Sequence, residues 1–383
     1  MTEKLYDLDS HLFAFTATVT ACEKTGRGYA VALDRTAFFP EGGGQSADTG
    51  RLGAAFVTDV REKDGVVYHM TDAPLPVGAT VEGALDGEKR LRRMQNHSGE
   101  HIVSGLAHRL YGLNNVGFHM GERCMTIDFD GELTAAQLEN IETRANVAVR
   151  ANVPVRAWYP SAEELATLDY RSKKEIEGAV RLVAIEGVDL CACCAPHVAR
   201  TGEIGLIKIL DAMRHRGGMR VELICGMDAL DEARRKQESV TAVSRALSVP
   251  RENIAFGVER LLSERERQKE RVASLSRELV RLYAERCGET AGNLCVFDSL
   301  LDEIAQRELC NRLADKCGGF AAVFTGSDEE GWRYIIASRH VDLRALTRRI
   351  NAAVGGRGGG SAEMIQGRAA AREENIRQAL LDR

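Results

Sequence analysis

Aromatic side chains are scarce in this sequence: Phe, Trp and Tyr make up 5% of it, against 44% for all hydrophobic types together. That balance suits a folded, water-exposed chain and excludes a membrane-embedded or disordered one. No apolar run approaches the roughly 20 residues of a bilayer-spanning helix, so no membrane partner is expected. Met1 to His11 lack the basic start, apolar middle and small-residue cleavage site of a secretory signal, and the expected location is cytoplasmic. Internal repeats, long low-complexity tracts and a Walker-type phosphate loop are missing as well. So is any surplus of positive charge: the net value of -5 leaves RNA contact, if present, to local basic patches. Cysteine is not lacking, but the ten cysteines are irregularly spaced. In a chain of this size and location they are expected as thiols, a few of them metal ligands, with Cys22, Cys225, Cys295 and Cys310 as small buried hydrophobes.

A chain of 383 residues exceeds one ordinary core, and the pattern changes along it divide it into four segments. In 1–88, Phe13 to Cys22 alternates apolar residues with threonines, a turn at 24–28 follows, and Tyr29 to Leu33, Phe56 to Val60 and Val66 to Tyr68 repeat the period of two. This predicts a small N-terminal β-barrel or sandwich, with the barrel preferred. In 89–227 a helix from Leu91 precedes a strand at Cys124 to Phe129, and Thr134 is the N-cap of a helix reaching Asn152. Strands follow at Val180 to Ile185, Thr201 to Leu210 and Met219 to Cys225, so this segment is an α+β domain. In 228–288 a charged helical stretch is interrupted near Val249-Pro250. Its second part carries Val258, Leu261, Val272, Leu275, Leu279 and Leu282 on an imperfect repeat near 3.5, which reads as a linker helix, a short coiled coil or a surface helix on its own domain. In 289–383 strands alternate with a helix from Asp302 to Lys316. A small α/β domain is expected there, ending in the Gly355 to Gly360 run and a last helix from about Ala362.

Two short motifs carry metal-type chemistry. His97 and His101 lie four apart on a helix and so project from one face. Roughly ninety positions downstream, Cys193 and His197 repeat the offset. Two pairs of imidazole and thiolate ligands match the tetrahedral preference of one zinc ion per chain. A third motif, Phe39-Pro40-Glu41-Gly42-Gly43-Gly44-Gln45, has three glycines that let backbone approach a ligand or another strand closely.

Taken with Thr201-Gly202-Glu203-Ile204-Gly205 and Gly355-Gly356-Arg357-Gly358-Gly359-Gly360, these motifs make the sequence resemble the alanyl-tRNA editing proteins in their long form, relatives of the editing and C-terminal domains of alanyl-tRNA synthetase. The match runs nearly the whole chain, in order. It departs from the family at Cys194-Ala195-Pro196, where Gly-Gly-Thr is usual, which leaves Cys191 and Cys194 as alternatives to Cys193. It departs again at Arg357, which stands where a lysine is often found.

The resemblance implies hydrolysis of tRNA(Ala) mischarged with serine or glycine, in trans and without aminoacylation. It also implies a C-terminal domain, similar to one shared with DHH phosphoesterases, that binds tRNA through Arg220, Gly356, Arg357, Gly358 and Gly359. The alternative is that the linker helix and this domain join two subunits as a homodimer. A synthetase pocket for alanine cannot exclude glycine by size and rejects an added hydroxyl poorly, so a second site must sieve. Thr36 and Gln45, flanking the glycine loop, are the expected polar groups of that sieve, although Thr36 also reads as an ordinary strand residue. Glu100 opens a rival class, because His97-Ser98-Gly99-Glu100-His101 is also the H-x-x-E-H of a zinc metallopeptidase with the glutamate as general base. A non-catalytic tRNA-binding protein is the third reading.

Overall fold

The computed structural model describes residues 1–26, 28–121, 123–172 and 178–381, which form two compact units, Met1–Val240 and Thr241–Arg383. Arg27, in the turn expected at 24–28, lies outside the described residues.

In the first unit, six antiparallel strands close on themselves in the order Ala14–Thr25, Gly28–Leu33, Val66–Thr71, Ala55–Lys63, Gly50–Leu52 and Thr80–Leu85. Strand alternation turns Val19, Val31, Leu33, Val60 and Val67 inward around Phe38, all at most 1% exposed. Closure gives each of the six strands a neighbour on both sides.

The barrel hands over to a 25-residue helix, Gly87–Tyr111. The Asp86 carboxylate caps its start by accepting the Lys89 N–H, and Gly112 ends it in the left-handed conformation at φ 68°. This helix packs on a four-stranded antiparallel sheet in the order Ile207–His215, Gly218–Cys225, Met125–Phe129, Asn115–Met120. A second helix, Ala135–Ala151, begins with a reciprocal Thr134/Gln137 cap and adds Ile141, Ala145 and Val149 to the same core. A smaller sheet of Val155–Trp158, Leu182–Ile185 and Asp189–Ala192 completes the unit. The strand expected from Thr201 starts only at Ile207, because Thr201–Ile204 is a 3₁₀ turn. The Thr201 hydroxyl fixes that turn by donating to the Ala148 carbonyl.

The helical stretch is interrupted where it was expected, giving helices Met227–Leu247 and Ile254–Arg286. In the second unit the end of the latter is packed on the core, with Val280 and Ala284 buried and Leu279 against them, and Gly257 near its start is buried against Leu247 and Val249, while Leu261, Val272 and Leu275 between are more than half exposed. The sheet of this unit runs Leu294–Asp298, Ala321–Ser327, Gly331–Ala337, Met364–Ala369, Gly356–Gly360, and only its first pair is parallel. Helix Glu303–Ala314 covers one face, and Leu343–Ala353 with Glu373–Leu381 the other. The last helix therefore begins eleven residues later than expected, and 364–369 is a strand instead. The glycine run is an edge strand, and of its members only Gly355 has a positive φ.

Candidate metal centre

The buried middle of the Gly87–Tyr111 helix turns His97 and His101 the same way, as residues four apart must. Past the Asp189–Ala192 strand the chain brings Cys193 and His197 to the same point, so that ligand atoms of all four residues lie within 4.8 Å of one another. The Cys193 sulfur is 3.5 Å from Nε2 of His97 and 3.4 Å from Nε2 of His197. A tetrahedral zinc ion with ordinary bond lengths sets a sulfur-to-nitrogen edge of about 3.6 Å. The donor set therefore fits the ion.

Each imidazole is held from behind through its other nitrogen. Nδ1 lies 3.0 Å from Gln45 Oε1 in His97, 3.0 Å from Asp189 Oδ2 in His101 and 3.0 Å from Ser98 Oγ in His197. A partner at Nδ1 selects the tautomer whose Nε2 lone pair faces the centre. Asp189 is itself clamped by Arg171, whose Nε and Nη2 donate to it at 2.7 and 2.9 Å.

Burial pushes the Cys193 thiol up, but the His97 and His197 rings beside it prevail and hold it well below the ordinary thiol range. Burial also lowers His197 to about 3, with His101 adding to the effect. Burial works against a charged His101 too, yet its hydrogen bonds to Asp189 and Cys193 raise it well above the usual imidazole range. Cys191 is pushed up by burial and is not one of the four clustered ligands, although it groups with His101, which is, and with Asp189. Cys194 joins no such group among the described residues.

Gly42 and Gln45 exchange two backbone hydrogen bonds of 3.0 and 2.9 Å across Gly43 and Gly44, which stand at φ +60° and +84°. Such a tight turn needs left-handed backbone at both central positions. A Cβ on Gly44 would also lie 2.6 Å from the Phe118 ring and 2.9 Å from its carbonyl oxygen. The turn is pressed onto Phe118, whose ring centroid is 5.0 Å from that of His97. Behind it, the buried Arg90 guanidinium ties the turn to the helix: it pairs with Asp48 and donates to the carbonyls of Ala37 and Ser10. Together these walls enclose a cavity of about 540 Å³ bordered by Gly43, Gly44, His97, His101, Phe118 and Cys193.

The residues singled out in the sequence fall into three places. Gln45 stands behind the ligand His97, fully buried and not itself bordering the cavity, with its Nε2 lacking a partner among the described residues. Thr36 is not brought to the cavity: it is buried in the barrel, where Phe38 N–H donates to its hydroxyl and the hydroxyl faces His69 Nε2 at 2.8 Å. Glu100 is buried within the helix: its Oε1 accepts from Ser104 Oγ at 2.6 Å and Asn115 Nδ2 at 2.5 Å, and its Oε2 lies 3.9 Å from Nε2 of His101. Ser98, Asp189, Arg171 and Arg181 were missed. Arg181 is 6% exposed and donates to the carbonyls of Cys193 and Ala195, shaping the ligand loop. Nothing in a lone arginine of a β-patterned run signals that role.

Elsewhere in the first unit, Arg220 is held by Asp128 through two hydrogen bonds of 2.7 and 2.8 Å. In the second unit, Arg357 stands directly across from Arg368, and Arg368 across from Arg333. All three are exposed, and none has an ion-pair partner among the described residues. Gly358 is required by packing, since a Cβ there would meet the Tyr334 hydroxyl at 2.0 Å.

Comparison with known proteins gives this arrangement its class. Residues 180–224, which include Cys193 and His197, match the threonyl and alanyl tRNA synthetase second additional domain, and residues 9–89 match the class II (A) tRNA synthetases. Those segments are thus similar to domains of tRNA synthetases. More particularly, most of the chain is similar to part of the alanine–tRNA ligases. It is 30% identical to that of Ignicoccus hospitalis over 94% of this chain and 40% of that protein, and 32% identical to that of Natronomonas pharaonis over 90% and 39%. For Halorubrum lacusprofundi the values are 31%, 96% and 42%. The chain spans about two-fifths of the length of these relatives. Among solved structures, the C-Ala domain from Aquifex aeolicus alanyl-tRNA synthetase matches at 17% identity and a TM-score of 0.20, covering 23% of this chain and 89% of that one. That likeness is too slight to bear on the fold.

Proposed function

We propose that the chain is an aminoacyl-tRNA deacylase that hydrolyses the ester joining serine or glycine to the 3′ end of tRNA(Ala). The observation that carries this reading is the four-ligand cluster opening onto a cavity walled by the glycine turn, with each imidazole oriented from behind. His97, His101, Cys193 and His197 would hold one zinc ion, which when bound would supply a fixed positive centre at the cavity wall. Four protein ligands fill a tetrahedron, the arrangement of structural sites. The chain's own residues then do the selecting. Gln45 spends its side-chain oxygen on His97 and keeps a buried amide donor without a partner, which costs about 1–3 kcal/mol until something accepts from it. Gly43 and Gly44 border the cavity and Gln45, which follows them in the turn, does not; the acceptor we assign to its amide is a substrate oxygen that reaches past that lining. Serine brings a hydroxyl that alanine lacks, so a donor placed this way spares correctly charged tRNA.

The peptidase reading turns on Glu100: its Oε1 is held by Ser104 and Asn115 and its Oε2 lies 3.9 Å from Nε2 of His101, but it does not border the cavity, which counts against a general base acting on a substrate there. In the second unit, the arginine row of Arg357, Arg368 and Arg333 places like charges across neighbouring strands, an arrangement that costs stability unless an anion lies on it. We assign that row, with Gly356, Gly358 and Gly359 beside it, to the tRNA backbone, and leave Arg220 out because Asp128 already holds it. Incubation with seryl-, glycyl- and alanyl-tRNA(Ala) and a peptide panel tests the assignment. Peptide cleavage, or no ester cleavage, would overturn it.

A further inference from the structure

A second pocket, of about 170 Å³, draws on three elements that also border the first and is completed by Met125, Ile224 and Asp228. The Gly87–Tyr111 helix presents His97 and His101 to the cavity and Lys89, Arg92 and Arg93 to the pocket. The strand Asn115–Met120 presents Phe118 to one and Met120 to the other, and the glycine turn continues into Ser46 on the pocket side. Along the helix, Arg93 is one turn and Lys89 two turns from His97, about 6 and 12 Å. Those are distances over which successive phosphates follow one another along an extended strand.

The pocket is cationic in a chain that is acidic. Among the described residues, Lys89, Arg92, Arg93 and Arg123 line it together with the carboxylate of Asp228, and Glu222 lies beside the lining residue Cys124. Arg92 pairs with Asp228, and Arg93 approaches Asp48 at 3.6 Å. Lys89 reaches only the Thr49 hydroxyl at 3.4 Å, and neither it nor Arg123 has a carboxylate partner among the described residues. A concave site with two cations that have no carboxylate partner among the described residues, lined also by Asn96, has the chemistry of a phosphodiester site.

We infer that this pocket holds a backbone phosphate of the RNA strand whose esterified 3′ end occupies the neighbouring cavity. The inference rests on the deacylase reading and adds the path by which the strand arrives. Lys89 and Arg123 supply charge to the phosphate. Arg92 and Arg93, tied to Asp228 and Asp48, keep the wall in place.

The test compares the wild type with a Lys89→Ala/Arg123→Ala double variant on two esters, a seryl minihelix of the tRNA(Ala) acceptor stem and seryl-adenosine, which has no phosphodiester. The pocket predicts that KM for the minihelix rises about tenfold or more and that its salt dependence flattens by about 0.7 logarithmic units per lost phosphate contact, with seryl-adenosine hydrolysis unchanged. Equal losses on both esters would overturn the inference in favour of a structural role, and so would an unchanged minihelix KM. If the wild type hydrolyses neither ester, the deacylase reading fails, and titration of the uncharged minihelix decides the pocket separately. Weakened binding in the variant keeps it, and equal binding discards it.

Discussion

The side-chain oxygen of Gln45 lies 3.0 Å from Nδ1 of His97, joining the glycine turn to the metal helix across 52 residues of chain. This contact makes the two motifs one device: the turn sets where the amide sits, the amide sets how the imidazole points, and the imidazole faces the sulfur of Cys193. Gln45→Leu should therefore weaken zinc binding about 10- to 100-fold, as removal of an outer partner does. His97→Ala with Cys193→Ala should abolish stoichiometric zinc, and Cys191→Ala should spare it. Competition against a chromophoric chelator, followed by elemental analysis, reads all three. Zinc lost with Cys191→Ala alone would mean that the ligand cysteine is misassigned.

Gly43 and Gly44 offer an internally controlled pair. Both need positive φ, but only at Gly44 would an added Cβ strike the Phe118 ring and backbone. Gly43→Ala should cost about 1 kcal/mol of stability and leave activity measurable. Gly44→Ala should displace the turn and remove most activity. Denaturant titration and ester hydrolysis on the two variants check this, and equal effects would contradict the packing described.

Thr36 and His69 predict a pH dependence that belongs to the barrel and not to the site. The Phe38 N–H donates to Thr36, the Thr36 hydroxyl faces Nε2 of His69, and Nδ1 of His69 faces the Val31 carbonyl at 3.0 Å. This chain of bonds suits a neutral ring, and burial lowers the His69 pKa from 6.5 to about 4. The unfolded chain therefore takes up this proton first as pH falls. The contribution of His69 is complete above about pH 6.5 and is lost progressively down to about pH 4, by about 3 kcal/mol. His69→Gln should start less stable but lose less over that range, and Thr36→Val should cost about 1–3 kcal/mol while leaving the serine-to-alanine rate ratio unchanged. Denaturation midpoints at pH 7 and pH 4.5 measure the first, and a pH slope identical to that of the wild type would reject it. A changed rate ratio in Thr36→Val would return Thr36 to the selecting site.

The row of Arg333, Arg368 and Arg357 should contribute to capture of full-length tRNA more than of a minihelix. Arg357→Ala with Arg368→Ala is expected to lower affinity about tenfold and reduce the slope of log affinity against log salt by about 1 to 2. Because like charges face each other across these strands, the double variant should fold at least as stably as the wild type. Unchanged affinity, with a change of oligomeric state in light scattering, would favour a subunit-joining role for this unit.

Legibility in the sequence followed the range of the interactions that decide each feature. His97 and His101 could be read because helical periodicity alone places them together, and the Thr134 cap because its partner Gln137 is three residues away. Asp189 and Ser98 could not, since their importance comes from the imidazoles they meet 88 and 99 positions away. Gln45 was read only as a neighbour of the glycine turn, and Thr36 was read with it although the barrel wall carries it away. Thr201–Ile204 has the alternation of a strand, yet the Thr201 hydroxyl finds the Ala148 carbonyl and the 3₁₀ turn prevails. The glycine run from Gly355 has no side-chain period to read, so its pairing with Met364–Ala369 and the helix before it stayed hidden.

The most direct measurement is the rate of amino acid release from seryl-tRNA(Ala) and alanyl-tRNA(Ala) by the zinc-loaded protein and by the same protein after His97→Ala with Cys193→Ala. The account predicts rapid release of serine, little release of alanine, and loss of the serine activity in the variant. Release of both at equal rates, release of neither, or serine release that survives in the variant would contradict it.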